Sequence, residues 1–486
     1  LLELSARADS EAAPAWASFK DSTLLLGIDI ITMTSQYEPV QRLPNMQDAG
    51  PGELAARDKA ISTLRGIFGL RGYDRAETPV LEQTELYLRK SGGGLSSRLY
   101  DFSEPGGYEV SLRPEFTSAI LRLAAGRGVD NGTLRLMYDG PVFRYANQDD
   151  EDGSKTRQFT QLGAELIGPR PPSADGEIIA MAMEGLLGLG ISGARVVIGH
   201  VGVVVAALSE FNLSERARLF LVSNIGELKL GQVESVTDKA ATLGFITDIV
   251  VDDAQVAADR DRLAVTIERV MAEGIGVSLG QNTGSRSPEE IVARLARKMS
   301  EADNPEDFKR ALGMLSRLSQ VRGQVDDALE TAGKILASTG ISSDPVSGFR
   351  ELLAAAEAEG VSGDRITVDF GIVRGLAYYT GMLFDIYAGD SNGDTLGGGG
   401  RYDGLTRVLG YDRDVPALGF AYNLDAIVES RSRELDPSPD LTVVSPVETG
   451  SVDSAIQQAR QLRASGKRAA IDFESPNSQG EGQGER

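Results

Sequence analysis

Leu134-Arg-Leu-Met-Tyr-Asp-Gly-Pro-Val-Phe-Arg144 is followed, after a polar stretch, by Thr156-Arg-Gln-Phe-Thr-Gln-Leu-Gly-Ala-Glu-Leu-Ile167. Both runs mix aromatic and aliphatic residues with polar ones, and the residues between them include four consecutive acids, Asp149 to Asp152. The pattern predicts two long strands joined by a polar loop, an antiparallel hairpin. Strands of this kind, wrapped by helices without regular βα alternation, point to an α+β fold built on a mixed sheet.

Upstream of the hairpin, Gly52 to Phe68 carries Leu54, Ile61, Leu64 and Ile67 at helical spacing and leads into an extended stretch, Ala76 to Leu81. Tyr108 to Leu112 reads as a strand, Arg113 to Ala125 as a helix, Ala174 to Leu189 as a helix and Val196 to Ile198 as β-like. Residues 203–360 change character, with helical stretches at Ser287 to Glu301, Asn304 to Val321 and Val325 to Leu336. They read as an inserted helical region. Strand patterns resume at Ile366 to Val373, Met382 to Tyr387 and Gly397 to Gly400, with a helix from Tyr422 to Arg431. Leu441 to Val447, a helix from Val452 to Ser465, and Ala469 to Phe473 form one βαβ unit. After Ser475 the Gly, Gln, Glu and Ser content predicts disorder.

With 486 residues and 41% hydrophobic content, the chain can bury a large core and should divide into two or three domains. It holds no cysteine and one histidine, His200, so thiolate chemistry and most imidazole or metal chemistry are excluded. The chemistry must therefore come from carboxylates, arginines, tyrosines and backbone amides. A formal charge of −22 speaks against general nucleic-acid binding, which needs clustered cations. A local basic groove would not show in that total. No apolar run is long enough to span a bilayer, and Leu1 to Ala17 lacks the basic start of an export signal. A cytoplasmic location is expected, without membrane association.

Tyr73 to Glu82, Leu112 to Thr117, Tyr138 to Arg144 with Arg157 to Glu165, Gly371 to Gly381, and Gly397 to Leu405 together resemble the histidyl-tRNA synthetase family of class II aminoacyl-tRNA synthetases. Tyr73-Asp-Arg-Ala-Glu-Thr-Pro-Val-Leu-Glu82, around Pro79, is similar to motif 1, which in that family forms a homodimer interface. Leu112-Arg-Pro-Glu-Phe-Thr117 is similar to the family's Leu-Arg-Pro-Glu-Gly-Thr segment. There the acid and threonine bind the substrate's α-amino group, a role that suits a fixed carboxylate and a hydroxyl. Pro114 and Glu115 equally suit a plain helix start. Tyr138 to Arg144 with Arg157 to Glu165 looks like motif 2. Gly371-Ile-Val-Arg-Gly-Leu-Ala-Tyr-Tyr-Thr-Gly381 is similar to the histidine signature Arg-Gly-Leu-Asp-Tyr-Tyr, and Gly397-Gly-Gly-Gly-Arg-Tyr-Asp-Gly-Leu405 to a Gly-rich strand and turn of the same family. The resemblance implies a class II antiparallel sheet flanked by helices, and a histidine pocket of Glu115, Thr117, Arg144, Gln161, Glu165, Arg374, Tyr378 and Tyr379. In an active member Arg144 and Arg374 would be the catalytic arginines.

Three departures bear on activity. The family's motif 3, Gly-Phe-Ala-x-Gly-Leu-Glu-Arg, ends in an arginine that stacks on adenine and meets the phosphates of ATP. Here the frame reads Gly419-Phe-Ala-Tyr-Asn-Leu-Asp-Ala426. Ala426 supplies neither stacking nor charge, and Asn423 adds a side chain where glycine keeps the pocket floor open. Phe116 likewise replaces a glycine and is expected to tighten the floor. The loop after Arg144 has Ala146 in place of a Glu and four acids where the family is arginine-rich, which would repel triphosphate and acceptor stem. The βαβ unit is shorter than the family's anticodon-binding domain.

The resemblance thus implies a branch that keeps the pocket and has lost adenylation: the synthetase-like regulatory subunit of ATP phosphoribosyltransferase, which pairs with a short catalytic subunit in histidine biosynthesis and responds to L-histidine. On that reading the chain has no catalysis of its own, no cofactor, no metal site and no tRNA partner. The alternatives are an active histidyl-tRNA synthetase, which would need ATP and magnesium, and a free-standing paralogue that senses or ligates an amino acid elsewhere. The expected organisation is a leader at 1–37, a synthetase-like core at 38–202 and 361–435 interrupted by the helical region 203–360, a truncated anticodon-domain-like unit at 436–475 and a tail at 476–486.

Overall fold

A computed structural model describes residues 40–91, 96–126, 132–145, 156–246, 303–372, 378–389, 395–411, 414–431 and 441–472. By internal contacts the chain divides into units 1–46 and 47–486. The described part of the first holds a turn closed by the Met46 amide on the Leu43 carbonyl. The helices and strands described here belong to the second.

Helix α1 (Pro51–Leu70) opens on a proline, and the Glu53 carboxylate accepts from the Gly50 amide at 2.8 Å, so the first turn is capped. Its buried face is Ala60, Leu64 and Phe68, one step round from the apolar stripe of the sequence, and Leu54 stays exposed. Of the extended stretch expected at Ala76 to Leu81 only Leu81 is in a strand: residues 76–80 connect strands β1 (Asp74–Arg75) and β2 (Leu81–Gln83). Pro79, which has no N–H to give a ladder, lies exposed between them. Helix α2 (Thr84–Ser91) and strands β3 (Asp101–Ser103) and β4 (Glu109–Leu112) follow. Strands β2, β4 and β3 form a small antiparallel sheet in that order.

The hairpin is present as expected. Strand β5 (Leu134–Phe143) pairs antiparallel with β6 (Gln158–Ile167) over ten residues, from Leu134 opposite Ile167 to Phe143 opposite Gln158. Beyond helix α3 (Thr117–Gly126), which precedes the hairpin, and helix α4 (Ser173–Gly188), which follows it, come β7 (Arg195–His200), β8 (Arg322–Gly323), β9 (Ile366–Asp369), β10 (Met382–Tyr387), β11 (Gly397–Arg401) and β12 (Ala417–Asn423). These join the hairpin in a nine-stranded sheet ordered β1-β5-β6-β12-β11-β10-β7-β9-β8. From β5 to β7 every pairing is antiparallel, whereas β1 on β5 and β7 on β9 are parallel. The sheet is therefore antiparallel across its centre and mixed towards its edges, because helical crossovers deliver β5 and β9 beside earlier strands.

Of the helices expected within 203–360, Pro305–Ser319 and Val325–Ser338 are present, while Ser287 to Glu301 lies outside the described residues. The described helices share one apolar cluster with the sheet, from Phe68 and Leu166 through Ile198 to Phe308, Leu315 and Phe349. A second cluster joins Phe116, Ile120, Leu136, Tyr138, Val142 and Phe159 across α3 and the hairpin. It is this packing that holds α3 against β5 and β6, since each fully buried large side chain contributes about 1.5–3 kcal/mol.

At the C-terminal end, strand β13 (Thr442–Val444) pairs parallel with β14 (Ala469–Ile471), and the helix Val452–Ala464 packs on them through Ala455 and Ala459. This is the expected βαβ unit. Its first strand stops at Val444 rather than Val447, because Pro446 opens a short helix. The helix expected from Tyr422 starts at Leu424, with Tyr422 and Asn423 ending β12. The leader 1–37, the tail 476–486 and the acidic stretch Asp149 to Asp152 lie outside the described residues. No described helix is long and apolar enough to cross a membrane.

Candidate functional site

Glu165 points from the buried end of β6 into a ring of hydroxyls. Its Oε1 accepts from Thr117 Oγ1 at 2.8 Å and from Tyr138 OH at 3.0 Å, and its Oε2 meets Tyr402 OH. The residue is 1% exposed, and burial pushes its pKa up to about 8, against the pull of the Thr117 hydrogen bond and the Lys90 charge. Glu165 is therefore a neutral acid at pH 7, able to ionise if a cation arrives. Gly419 lies opposite it in the ladder, and a Cβ there would fall on the Glu165 carboxylate and within 2.5 Å of the Ala164 carbonyl. The glycine of the motif 3 frame thus makes room for the acid of motif 2.

Glu115 sits two residues before the start of α3. The helix starts at Thr117, not at Arg113, and the Glu115 carboxylate accepts from the Ser118 amide at 3.2 and 3.3 Å, capping it. Lys90 Nζ, from the end of α2, reaches the same carboxylate at 3.0 Å, and both side chains are buried. Burial alone would raise the Glu115 pKa. The Lys90 charge and the Ser118 bonds outweigh it, and the carboxyl is held below its usual range. Lys90 Nζ also lies 4.3 Å from the Tyr378 ring centre, and Tyr378 is 4.2 Å from Tyr379 and 6.2 Å from Tyr402, centre to centre. The carboxylate of Glu115, the carboxyl of Glu165, the Lys90 ammonium and the rings of Tyr378, Tyr379 and Tyr402 are thereby brought together from five separate segments. Such a set can grip a polar flat ring and a cationic group.

The other expected pocket residues are placed as follows. Arg144 Nε donates to the Pro114 carbonyl at 2.9 Å, beside Glu115, and its guanidinium lies 5.2 Å from the Phe159 ring centre. Gln161 is buried on β6 on the same face as Glu165, opposite Gly140 and Asn423 in the ladders. Arg374 lies outside the described residues. Phe116 does not simply narrow the pocket: its ring stacks on Tyr138 at 4.5 Å with Arg113 4.0 Å above it, inside the second apolar cluster. Asn423 has a role in the backbone as well. Its Oδ1 accepts from the Ala426 amide at 3.2 Å, so the side chain caps the Leu424–Arg431 helix. Ala426 packs on the main core, and Asp425 accepts from the Thr160 amide at 2.8 Å and pairs with Arg57 at 2.8 Å.

Three members of the cluster were not among the residues expected to bind. Tyr138 and Tyr402 both belong to segments already matched, and Lys90 lies eight residues beyond the end of the Tyr73 to Glu82 segment. An alternating pattern could have shown that Tyr138 shares a face with its neighbours. Nothing local marks Tyr402 or Lys90, which meet Glu165 and Glu115 only through the tertiary fold. His200, the sole histidine, is elsewhere. Its Nδ1 accepts from the Val203 amide at 3.2 Å, and burial with the nearby Arg401 charge pushes it down to about 4.

The family model for histidyl-tRNA synthetase matches residues 45–273 and 287–427, a span that contains the whole cluster. The chain belongs to the histidyl-tRNA synthetase family. Within that family it is similar to proteins of two kinds. The histidine–tRNA ligase of Methanocaldococcus jannaschii is 28% identical over 436 residues, covering 89% of this chain and 86% of the ligase. The ATP phosphoribosyltransferase regulatory subunit of Symbiobacterium thermophilum is 30% identical over 445 residues, covering 91% and 93%. Among solved structures, an ATP phosphoribosyltransferase regulatory subunit/histidyl-tRNA synthetase from Bacillus halodurans superposes with a TM-score of 0.61 at 25% identity, covering 90% of this chain and 93% of that one. The class II synthetase-like fold is common to both kinds.

Proposed function

We propose that this member of the family is a regulatory subunit of ATP phosphoribosyltransferase, a histidine-binding protein without aminoacylation. The observation that carries the reading is the start of the Leu424–Arg431 helix. The position that needs an adenine-stacking arginine holds Ala426, packed on the core, and the neighbouring Asn423 is committed to capping that helix. Without that cation the charge developing on the α-phosphate loses support worth several kcal/mol, enough to make turnover negligible. Histidine binds in the cluster around Glu115 and Glu165. The protein works in the cytoplasm as a homodimer through the motif 1 region, with a short catalytic subunit as partner. It needs neither ATP nor magnesium as a cofactor and charges no tRNA.

The purified protein should give no histidine-dependent pyrophosphate exchange with ATP, and mixing it with a short ATP phosphoribosyltransferase catalytic subunit should stimulate that subunit and make it sensitive to histidine. Exchange at the rate of a working ligase would overturn the proposal. One observation favours the second reading, an active histidine–tRNA ligase: the acid and hydroxyl cluster and Arg144 are all retained, which regulation alone does not require. The exchange assay separates the two.

A further inference from the structure

Lys90 is a buried cation in the cluster around Glu115 and Glu165, and the resemblance to the family gives it no role. Its ammonium lies 3.0 Å from Glu115 and 4.3 Å from the centre of the Tyr378 ring, with 6% of its side chain exposed. A carboxylate on one side and an aromatic face on the other are what a ligand ammonium would itself seek. We propose that Lys90 takes the seat on Glu115 that the α-ammonium of an amino acid would use, and so sets how tightly, and for which imidazole compounds, the pocket closes. This rests on the reading of the cluster as a histidine site.

Two consequences follow from the charges. A ligand carrying an α-ammonium must share Glu115 with Lys90 at short range, and like charges in a buried site repel strongly. A ligand with the same imidazole and carboxylate but no amino group avoids that repulsion, and its carboxylate gains a cation. The pocket should therefore discriminate weakly, by less than about tenfold, between histidine and imidazole-4-propionate, although a site built on a free carboxylate would favour histidine by roughly a hundredfold or more. Glu115 keeps its Ser118 bonds when Lys90 is replaced by methionine, and becomes available to the ligand.

The test is calorimetric titration of the full chain with histidine and with imidazole-4-propionate, on wild type, Lys90→Met and Lys90→Arg. The wild type is expected to bind the two within about tenfold, and K90M to shift the ratio towards histidine by at least about tenfold. K90R, which keeps the charge, is expected to leave the ratio near the wild-type value. Strong preference of the wild type for histidine would overturn the inference even if K90M failed to fold, and so would an equal loss of both ligands in a folded K90M. In those cases the histidine pocket stands and only the role of Lys90 falls. If neither ligand binds any of the three proteins, the pocket reading and the inference are overturned together.

Discussion

Replacing Glu165 with Gln keeps the shape of the side chain and removes its ionisation. In the folded chain burial raises the Glu165 pKa from 4.5 to about 8. Between those values the folded state holds a proton that the unfolded chain has released, so stability falls as pH rises. The contribution is fully present below about 4.5 and is lost as pH passes through about 8. Each pH unit inside the window is worth about 1.4 kcal/mol, and the whole window about 5 kcal/mol. With an unfolding entropy near 2.1 cal/mol/K per residue, the 486-residue chain should lose about 1.4 °C of melting temperature per pH unit. The assay is thermal unfolding of wild type and E165Q at intervals from pH 5 to pH 9. The wild-type midpoint should fall relative to E165Q by about 1–2 °C per unit, and the difference should level off above about pH 8. Parallel curves would show that Glu165 ionises at its ordinary pH despite its burial, and a difference of opposite sign would mean that the hydroxyl ring stabilises the carboxylate.

Asp175→Asn should remove the charge that faces Arg401 inside the core, where the two residues are 1% and 3% exposed, and lower stability by about 3 kcal/mol, since Asp403 still pairs with Arg401; a melting temperature within about 1 °C of wild type would contradict this. Gly419→Ala would put a methyl group against the Glu165 carboxylate and the Ala164 carbonyl, and should abolish histidine binding or prevent folding, as judged by titration and circular dichroism. Restoring the cation by Ala426→Arg should raise ATP affinity by at least about tenfold in calorimetry, with no gain if the loss of that arginine is not what closes the nucleotide side.

What could be read from the sequence were the features that depend on neighbours along the chain. The hairpin followed from two long runs of strand-forming residues around a polar loop, and the helices at 305–319 and 325–338 from their apolar spacing. The family followed from ordered motifs, each a short string of residues. Element ends were less legible, because they depend on which backbone groups find partners. Glu115 caps α3 from outside it, Asn423 caps the next helix from the end of β12, and Pro446 cuts β13 short. Only the tertiary structure decided the chemistry of the cluster around Glu115 and Glu165. Glu165 is 237 residues from Tyr402, and Lys90 is 25 from Glu115, so neither the raised pKa of the one nor the ion pair of the other is written in any local pattern. Both arise because folding removes water from these groups and surrounds them with partners from distant parts of the chain.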